Sequence, residues 1–309
     1  MKFVKKAIRM AKKVYKSNKL TKILIFLSFV LIVMFVVKKE RKEGFSQKKS
    51  FILKKNDTLY DDFYCDIYND LVYDQRKNKF ELDNIMVLEK DKIKSVLDIG
   101  SGHGHHVKEF SKKGVKVKGI DKSQAMVKKA KKTYPGLDFV NGDVLNSIQF
   151  MPGSFSHITC FYFTVYYIQD KGLFFKNCYD WLKPGGKMIL HLVNRDKFDP
   201  ILNAGDPLIV VSAQKYAKKR ITNSTVKFKD FQYKADFKLD KPNDQAEFVE
   251  TMKDDATGNV RKNIHTFYMD TQRNILSLAK QVGFILEGKV DMVTCQYAYQ
   301  YLYILKKPF

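Results

Sequence analysis

The alternation of apolar and polar positions predicts that strands and helices take turns along the middle of the chain. Short apolar runs, each long enough for one buried strand, alternate with stretches whose apolar residues recur every three or four positions. The predicted strands lie at 95–99, 115–120, 138–140, 156–161 and 187–193, and the predicted helices at 105–113, 124–134 and 171–182. This alternation is typical of a parallel sheet with helices on both faces.

The segments on either side of this region carry different patterns. Residues 60–72 place apolar side chains on one helical face, with Asp57 or Thr58 able to cap the helix. Residues 271–282 predict a last helix. Two strands at 284–293 and 298–306 follow, and they are too close together in sequence to pair in parallel. The sequence therefore predicts a mostly parallel sheet that ends in an antiparallel hairpin.

An insertion at about 200–270 separates the fifth strand from the last helix. Residues 246–252 and 260–269 predict further strands, joined by a turn at 257–259. Aromatic and aliphatic residues alternate imperfectly with polar ones just before them: Val226, Phe228, Phe231, Tyr233 and Phe237. We predict a small antiparallel β cap, whose aromatic residues either line an apolar pocket or pack the cap onto the sheet.

The N-terminal part of the chain has the pattern of a membrane anchor. Residues 23–37 contain one serine and no charged residue, and lysines flank them on both sides. A spanning helix needs about 20 apolar residues, and snorkelling lysines extend a shorter run. Residues 1–22 predict a basic amphipathic segment suited to an anionic membrane surface, or a solvated charged stretch. A cleaved signal sequence or a buried core helix are the alternatives for 23–37.

The charge distribution changes the picture of possible partners. The net charge is +23, but residues 1–55 hold 17 basic and 2 acidic side chains, whereas the other 254 residues hold 39 and 31. Residues 38–56 predict a lysine-rich linker, and 57–309 a folded domain that is only mildly basic. Nucleic-acid binding by that domain is therefore not expected. The four cysteines are scattered and show neither a disulfide nor a zinc pattern.

The most specific motif follows the first predicted strand and reads DIGSGHG at 98–104. Its glycines permit a tight turn that brings backbone N–H groups close to a ligand at the start of a helix. Asp121 and Asp143 end the next two strands, where one carboxylate suits a ribose diol and the other an adenine amino group. The spacing departs from both the dinucleotide fingerprint and the phosphate-binding loop. The sequence thus predicts a different ligand that contains adenosine.

These motifs together resemble those of the class I S-adenosylmethionine-dependent methyltransferases. Residues 98–104 are similar to motif I of that family, 119–123 with Met126 to motif II, and 142–144 to its adenine-side motif. Residues 181–186 are similar to the turn before strand five in the type 11, ubiquinone-biosynthesis-like branch. The resemblance covers about 57–198 and the final helix and hairpin. It implies an α/β, Rossmann-like seven-stranded sheet and S-adenosylmethionine as the cofactor.

The resemblance also implies a role for each matching residue. The implied cofactor-binding residues are Asp98, Gly100, Ser101, Gly102, Gly104, Asp121, Lys122, Gly142, Asp143, Val144 and Phe161. The glycine loop would hold the methionine part, with Asp98 supporting the loop or the ammonium group, and Asp121 would bind the ribose. Lys122 and residues 142–144 would border the adenine, and Phe161 would lie beside the sulfonium.

Two residues are candidates for a direct part in catalysis. Positioning supplies much of the rate of an in-line methyl transfer, and a general base is needed only when the acceptor must lose a proton. His191 lies near the end of the fifth strand and Tyr162 follows the fourth, so both are predicted to face the pocket. The alternatives are a structural histidine and a core aromatic residue.

Other residues near the glycine loop allow two interpretations. Tyr60 and Tyr64 either cover the cofactor or simply pack against the sheet. His103, His105 and His106 crowd the loop, but the last two are adjacent and point apart on a helix, so no metal site is expected.

The sequence predicts a methyltransferase anchored through residues 1–37 that modifies a small-molecule or lipid-like acceptor. Because the cofactor is made in the cytosol, we expect the domain to face it. A tethered protein or nucleic-acid methyltransferase is one alternative, although Phe161–Thr164 replaces the NPPY catalytic loop of such enzymes. A non-catalytic cofactor-binding scaffold is the other, and the intact glycine loop and aspartates weigh against it.

Overall fold

The computed structural model describes residues 18–21, 23–24, 26–28, 49–88, 93–200, 217–228 and 230–309. The chain divides into two units, Met1–Gly44 and Phe45–Phe309. In the first unit the described residues between 19 and 28 are helical, and the Asn18 side chain accepts a hydrogen bond from the Thr21 backbone N–H at 2.9 Å. Within the described ranges, no helix is both long and apolar enough to cross a membrane. Most of the predicted basic segment at 1–22 and anchor at 23–37 lies outside those ranges.

The strands and helices described here belong to the second unit. Its strands are β1 (Phe51–Lys55), β2 (Ser95–Ile99), β3 (Lys116–Asp121), β4 (Asp138–Asn141), β5 (Phe155–Cys160), β6 (Leu182–Val193), β7 (Asn223–Lys227), β8 (Phe231–Asp240), β9 (Gln245–Asp254), β10 (Val260–Tyr268), β11 (Ile285–Asp291) and β12 (Gln300–Lys306). Its helices are α1 (Asp62–Leu71), α2 (Gln75–Leu88), α3 (His105–Lys112), α4 (Gln124–Thr133), α5 (Thr164–Tyr167), α6 (Lys171–Trp181) and α7 (Gln272–Val282).

The larger sheet has seven strands in the order β11-β12-β6-β5-β2-β3-β4. β12 pairs antiparallel with both β6 and β11, so it alone runs against the other six strands. The predicted mostly parallel sheet with an antiparallel end is thereby confirmed. Leu97, Ile158 and Leu190 on the central strands are fully buried. Continuous apolar runs are expected here because helices cover both faces of a parallel sheet.

Side-chain caps explain where four of the helices begin. The side chains of Asp61, Ser123, Asp170 and Thr271 each accept a hydrogen bond from a backbone N–H in the first turn of α1, α4, α6 and α7. Such bonds satisfy donors that have no partner within the helix. The cap of α1 is Asp61, however, and not the predicted Asp57 or Thr58.

The smaller sheet is the predicted cap, with the order β1-β10-β9-β8-β7. Strands β7 to β10 pair antiparallel, as predicted, although residues 201–216 and 229 lie outside the described ranges. β1 adds to the cap by pairing in parallel with β10. The predicted linker at 38–56 therefore ends in a strand. This strand was not predicted, because its apolar residues Phe51 and Leu53 lie exposed on the edge of the sheet and do not mark a buried face.

Helix α2 was not predicted from the sequence. Its buried face carries two charged residues, Lys77 and Glu81. Both side chains are fully buried, and Nζ of Lys77 lies 2.5 Å from Oε1 of Glu81. A buried ion pair interrupts the apolar spacing by which an amphipathic helix is recognised.

Candidate active site

The loop between β2 and α3 is built from glycines in left-handed conformations. Their φ angles are +69° at Gly100, +51° at Gly102 and +80° at Gly104. A Cβ at Gly100 would lie 2.4 Å from Oγ1 of Thr164, and one at Gly104 would lie 2.4 Å from a ring carbon of Phe139. A Cβ at Gly102 would meet no protein atom within 4 Å. The loop is therefore packed on both flanks and open at its middle glycine, where a ligand can approach the backbone.

The carboxylate of Asp121 lies at the end of β3 and faces this loop. Its Oδ2 accepts a hydrogen bond from the Gly102 N–H at 2.8 Å, and its Oδ1 accepts one from the Ser123 N–H at 2.8 Å. Burial raises the pKa of Asp121, and the two backbone hydrogen bonds oppose that rise. Each oxygen keeps a further lone pair, so the carboxylate is an oriented acceptor for two hydroxyl groups.

The end of β4 forms the exposed rim of the same region. Nζ of Lys122 lies 3.2 Å from Oδ2 of Asp143 and 3.0 Å from Oδ2 of Asp57. Gly142 and Val144 flank Asp143 in the chain, and the Val144 side chain is half-buried. The predicted ribose and adenine residues therefore lie at the carboxyl ends of adjacent parallel strands, where ligands of open α/β sheets bind.

Three of the predicted binding residues in and around the loop are buried, namely Asp98, Ser101 and Phe161. Oδ1 of Asp98 accepts a hydrogen bond from the Thr159 hydroxyl at 2.7 Å, and burial raises the pKa of Asp98 to about 6. Phe161 packs on the imidazole of His106 with ring centroids 4.4 Å apart. Oγ of Ser101 is buried without a hydrogen-bond partner among the described residues. Asp98 and Phe161 thus support the loop from below.

An aromatic cleft of about 620 Å³, including its open mouth, adjoins the loop. Its walls come from α1, α5, the end of β6 and the cap, and its lining residues are Tyr60, Tyr64, Tyr68, Val72, Tyr162, Phe163, Thr164, Tyr167, Phe198, Pro200, Phe237, Phe248, His265 and Phe267. The Ser123 hydroxyl donates to the backbone oxygen of Tyr60 at 2.7 Å, which ties the Asp121 strand end to the cleft wall. None of these lining residues is Asp, Glu, Lys or Arg, so the cleft suits a flat, largely apolar ligand.

The structure brings one of the two predicted catalytic residues to the cleft. Tyr162 lines it, but its hydroxyl donates to the backbone oxygen of Val72 at 2.7 Å, and Nζ of Lys77 lies 3.4 Å from its ring centroid. Burial raises the pKa of Tyr162 well above its ordinary value. His191 is fully buried within β6 and is not among the lining residues. Burial lowers the pKa of His191 to about 3, so the side chain is neutral.

The sequence analysis gave no role to His265, the polar residue of β10 that lines the cleft. Along β10 the buried positions are Arg261, Asn263, His265 and Phe267, whereas Ile264 is only half-buried. Polar residues on the inward face and an aliphatic residue between them reverse the usual alternation of a half-buried strand. That reversal is the one signal in the sequence that points to a functional face here.

The three histidines beside the loop are engaged within the protein. Nδ1 of His103 and Nε2 of His105 lie 2.9 and 3.0 Å from Oδ1 of Asn69, and Nε2 of His106 lies 2.9 Å from Oε2 of Glu81. Over the parts of the chain that the structure covers, no cluster of His, Cys, Asp and Glu is arranged to hold a metal ion.

Comparison with known proteins places this fold in a class. Residues 96–186 match the family described as a methyltransferase domain. The CcbJ methyltransferase of Streptomyces caelestis superposes with a TM-score of 0.64 at 15% identity, over 82% of this chain and 99% of that one. An amino pentose methyltransferase from Micromonospora echinaspora, solved with S-adenosylmethionine bound, gives 0.54 at 17% identity over 75% and 90%. Residues 96–186 therefore carry a methyltransferase domain, and the fold is that of solved S-adenosylmethionine-dependent methyltransferases.

Curated proteins of similar sequence are O-methyltransferases of ubiquinone biosynthesis, and each aligns with only part of this chain. The ubiquinone biosynthesis O-methyltransferase of Xanthomonas euvesicatoria is 30% identical over 140 residues, which are 44% of this chain and 55% of the relative. That of Pseudomonas aeruginosa strain LESB58 is 29% identical over 107 residues, 33% of this chain and 46% of the relative. The chain thus spans about half the length of the curated relatives it matches.

The residues around the loop fit the cofactor of this class. Gly102 leaves room at the backbone, and the carboxylate oxygens of Asp121 are already oriented. The Ser101 hydroxyl beneath the loop lacks a partner in the described part of the chain. An open backbone, an oriented carboxylate and an unsatisfied hydroxyl together suit a ligand that carries ribose hydroxyls and a charged amino acid end.

Proposed function

We propose that this protein is an S-adenosylmethionine-dependent methyltransferase whose acceptor is a small, flat and largely apolar molecule. The observation that carries the proposal is the contact between the glycine loop and the aromatic cleft at Gly100 and Thr164. That contact sets a site for the cofactor beside a site for the acceptor, as methyl transfer between two bound molecules requires.

The geometry of the loop supports the cofactor site that the family resemblance implies. Gly102 and its neighbours would hold the methionine part, Asp121 the ribose hydroxyls, and Asp143 the adenine edge. When bound, S-adenosylmethionine supplies a methyl group on a sulfonium, which is an electrophile for an in-line nucleophile. The aromatic walls of the cleft exclude water and orient the acceptor, and positioning of this kind contributes much of the rate.

The acceptor is proposed from the cleft and from the relatives. The curated relatives are O-methyltransferases of ubiquinone biosynthesis, and the cleft side chains that carry polar atoms contribute hydroxyl and imidazole groups. We therefore propose an aromatic hydroxyl as the methylated group. A lipid-like molecule that carries such a ring is included in this class.

The first experiment is a calorimetric titration of S-adenosylmethionine into the full chain. A labelled methyl group is then offered to a panel of phenols, amines, protein and RNA. Binding of the cofactor with transfer to phenols supports the proposal. Binding without transfer to any acceptor favours a scaffold, transfer to protein or RNA favours a tethered macromolecular enzyme, and absence of binding overturns the proposal.

We also propose that residues 1–37 attach the protein to a membrane, with the methyltransferase domain on the cytosolic side. The support is the uncharged run at 23–37 between lysines and the concentration of basic residues upstream. The full chain should float with phosphatidylcholine vesicles that contain phosphatidylserine, and a variant without residues 1–37 should not. Equal flotation of both would contradict the attachment. Protease added outside intact cells should leave the domain uncut, and cleavage of the domain would contradict the cytosolic side.

A further inference from the structure

An unbroken series of hydrogen bonds leads from the aromatic cleft into the cap. The Tyr60 hydroxyl lies 2.8 Å from the Tyr167 hydroxyl, which lies 2.6 Å from Nδ1 of His265. Nε2 of His265 lies 2.8 Å from Oε2 of Glu250. Tyr60, Tyr167 and His265 line the cleft, whereas Glu250 is fully buried behind them in β9.

The ionised carboxylate of Glu250 determines which atom donates and which accepts in each hydrogen bond of this series. Its carboxylate accepts hydrogen bonds from the Tyr233 hydroxyl at 2.8 Å, the Asn263 side-chain amide at 3.2 Å and the His265 ring. Burial opposes a charge on Glu250, but His265, Tyr233 and Asn263 together lower its pKa. An ionised carboxylate only accepts, so Nε2 of His265 carries a proton.

The same argument continues toward the cleft. In a neutral imidazole that is protonated at Nε2, Nδ1 is an acceptor, so Tyr167 must donate to it. A hydroxyl has one proton to give, so Tyr167 accepts from Tyr60, and Tyr60 donates to Tyr167. The Tyr60 oxygen is then left with only acceptor capacity for a ligand in the cleft.

In the described part of the chain, aromatic rings and one charged partner surround His265. The rings within 6.3 Å of its centroid are Tyr60, Tyr64, Tyr167, Phe248 and Phe267. Burial raises the pKa of Tyr60, Tyr64 and Tyr167, so none of these hydroxyls is ionised at neutral pH. Glu250 is the charged group that pairs with the imidazole.

We propose that Tyr60, Tyr167 and His265 form a proton relay that accepts the proton of a phenolic acceptor during methyl transfer, with Glu250 as the residue that orients it. This inference rests on the proposed function. Tyr60 touches the acceptor and is the catalytic residue of the relay. Glu250 acts through His265 and is a positioning residue.

The step balances within the site. The acceptor oxygen forms a bond to the methyl carbon while the carbon–sulfur bond breaks and its electron pair stays on sulfur. The phenolic proton moves to the Tyr60 oxygen, the Tyr60 proton moves to Tyr167, and the Tyr167 proton moves to Nδ1 of His265. The product is a methyl ether, and the imidazolium that remains is stabilised by the Glu250 carboxylate.

The relay selects a phenol over an aliphatic alcohol. A phenolic hydroxyl ionises near pH 10, whereas a water-like hydroxyl ionises near 15.7, and an imidazole accepts the first proton far more readily. Among the described residues that line the cleft, none supplies a carboxylate to pair directly with an ammonium group, so an amine is a less favoured acceptor than a phenol. Its flat aromatic walls also suit a ring.

The resting state of the relay can be measured without an acceptor. In the full chain labelled with ¹⁵N-histidine, at a pH where imidazoles are neutral, His265 should be protonated at Nε2; the His265→Asn variant assigns its signals. Glu250→Gln can donate to Nε2 and should move the proton to Nδ1, while Tyr167→Phe should leave it on Nε2. A wild-type proton on Nδ1 would overturn the relay.

Proton transfer from a bound phenol to the relay can be measured with 4-nitrophenol, whose phenol and phenolate forms absorb at different wavelengths. The bound probe should be more ionised than the free probe at the same pH, and this difference should disappear in His265→Asn, Tyr167→Phe and Glu250→Gln. Tyr268→Phe removes a hydroxyl from the same strand β10, bonded to Gln169 outside the cleft, and should change nothing. Equal ionisation in wild type and Tyr167→Phe contradicts the relay.

Turnover provides the last readout. With a phenolic acceptor, His265→Asn and Tyr167→Phe should lower kcat by about 10²- to 10⁴-fold, the usual contribution of general-base catalysis, and a more acidic nitrophenol should restore much of the rate. Calorimetry should show unchanged S-adenosylmethionine binding in each variant. If the wild-type protein does not bind S-adenosylmethionine, the proposed function is refuted. If both variants turn over the phenol as fast as the wild type, only the relay is refuted.

Discussion

Asp121 shows how one side chain can be prepared for a ligand before the ligand binds. Both of its oxygens are held by backbone N–H groups, one from the glycine loop and one from the start of α4. The carboxylate therefore needs no reorganisation when two hydroxyls approach it, and preorganisation of this kind favours affinity.

Asp121→Ala should weaken S-adenosylmethionine binding by about 10- to 150-fold, because hydrogen bonds to a charged group contribute about 1.5–3 kcal/mol. Calorimetric titration of the full chain measures the change. Asp138→Ala at the start of β4 removes an exposed carboxylate that pairs with Lys118 and should leave the affinity within error. Equal affinities for wild type and Asp121→Ala would exclude the ribose role.

The glycines allow a second test at this scale, because two of them share a backbone conformation but not an environment. φ is +69° at Gly100 and +78° at Gly114, yet only at Gly100 would a Cβ meet another side chain, that of Thr164. Gly114→Ala should cost only the strain of the left-handed conformation, about 1–2 kcal/mol. Gly100→Ala should cost more and should also weaken cofactor binding. Chemical unfolding with calorimetry measures both, and identical losses would contradict the argument.

At the scale of elements, β10 and α1 are joined across the cleft by one arginine. Both terminal nitrogens of Arg261 lie 3.0 Å from the Asp61 carboxylate, and one donates to the backbone oxygen of Leu59 at 3.1 Å. Asp61 also caps α1, so the same carboxylate begins the helix and holds it to the cap. The cleft depends on this junction because its walls come from both elements.

Arg261→Met should lower the free energy of unfolding by about 2–3 kcal/mol. This is less than breaking a fully buried ion pair costs, because Asp61 is partly exposed. Urea denaturation measures the change, and Arg273→Met on the exposed face of α7 is the matched control. A loss of stability no larger than that of the control would show that the junction does not hold the cleft together.

At the scale of the whole molecule, three histidines whose pKa is lowered contribute to how stability varies with pH. Burial lowers the pKa of His103 and His105 to about 4 and that of His191 to about 3, from an ordinary 6.5. The unfolded chain therefore binds more protons than the folded one below about pH 6.5, and stability falls as the pH is lowered. Asp98 acts in the opposite sense between 3.8 and about 6, because its pKa is raised.

The free energy of unfolding should therefore fall between about pH 6.5 and about pH 4, with each unmatched proton contributing a slope of up to about 1.4 kcal/mol per pH unit. His191→Asn removes one such group and should flatten the curve. Urea denaturation at several pH values tests this, and parallel curves for the two proteins would contradict the assignment.

Most of the large sheet was predictable because its information is local. The central strands are short runs rich in apolar residues, and four of the helices begin at a residue whose side chain caps them, so neighbouring residues suffice to recognise these elements. The glycine loop and the aspartates at 121 and 143 are also tied to strand ends. Parallel strands place those ends at one edge, so their proximity follows from the order of elements alone.

Only the tertiary structure could decide which polar residues reach the cleft. His191 and Tyr162 ended strands at plausible places, but the sheet buries the first and a backbone carbonyl engages the hydroxyl of the second. His265 and Glu250 come from neighbouring strands of the cap, and their connection to Tyr60 runs through Tyr167, which is about 100 positions from both Tyr60 and His265. Sequence spacing does not report such contacts.

The class of fold, the glycine loop and the positions of the parallel strands along the chain could be predicted without the structure, because hydrophobic periodicity and turn chemistry act between near neighbours. The tertiary structure decided the aromatic cleft, the attachment of β1 to the cap, the buried pair of Lys77 and Glu81, and the relay from Tyr60 to Glu250. Apart from Lys77 and Glu81, which lie four positions apart on α2, each of these places a polar or edge residue against a partner that is distant in the sequence. The free energy of that placement comes from satisfying hydrogen bonds and charges that burial would otherwise leave unpaired.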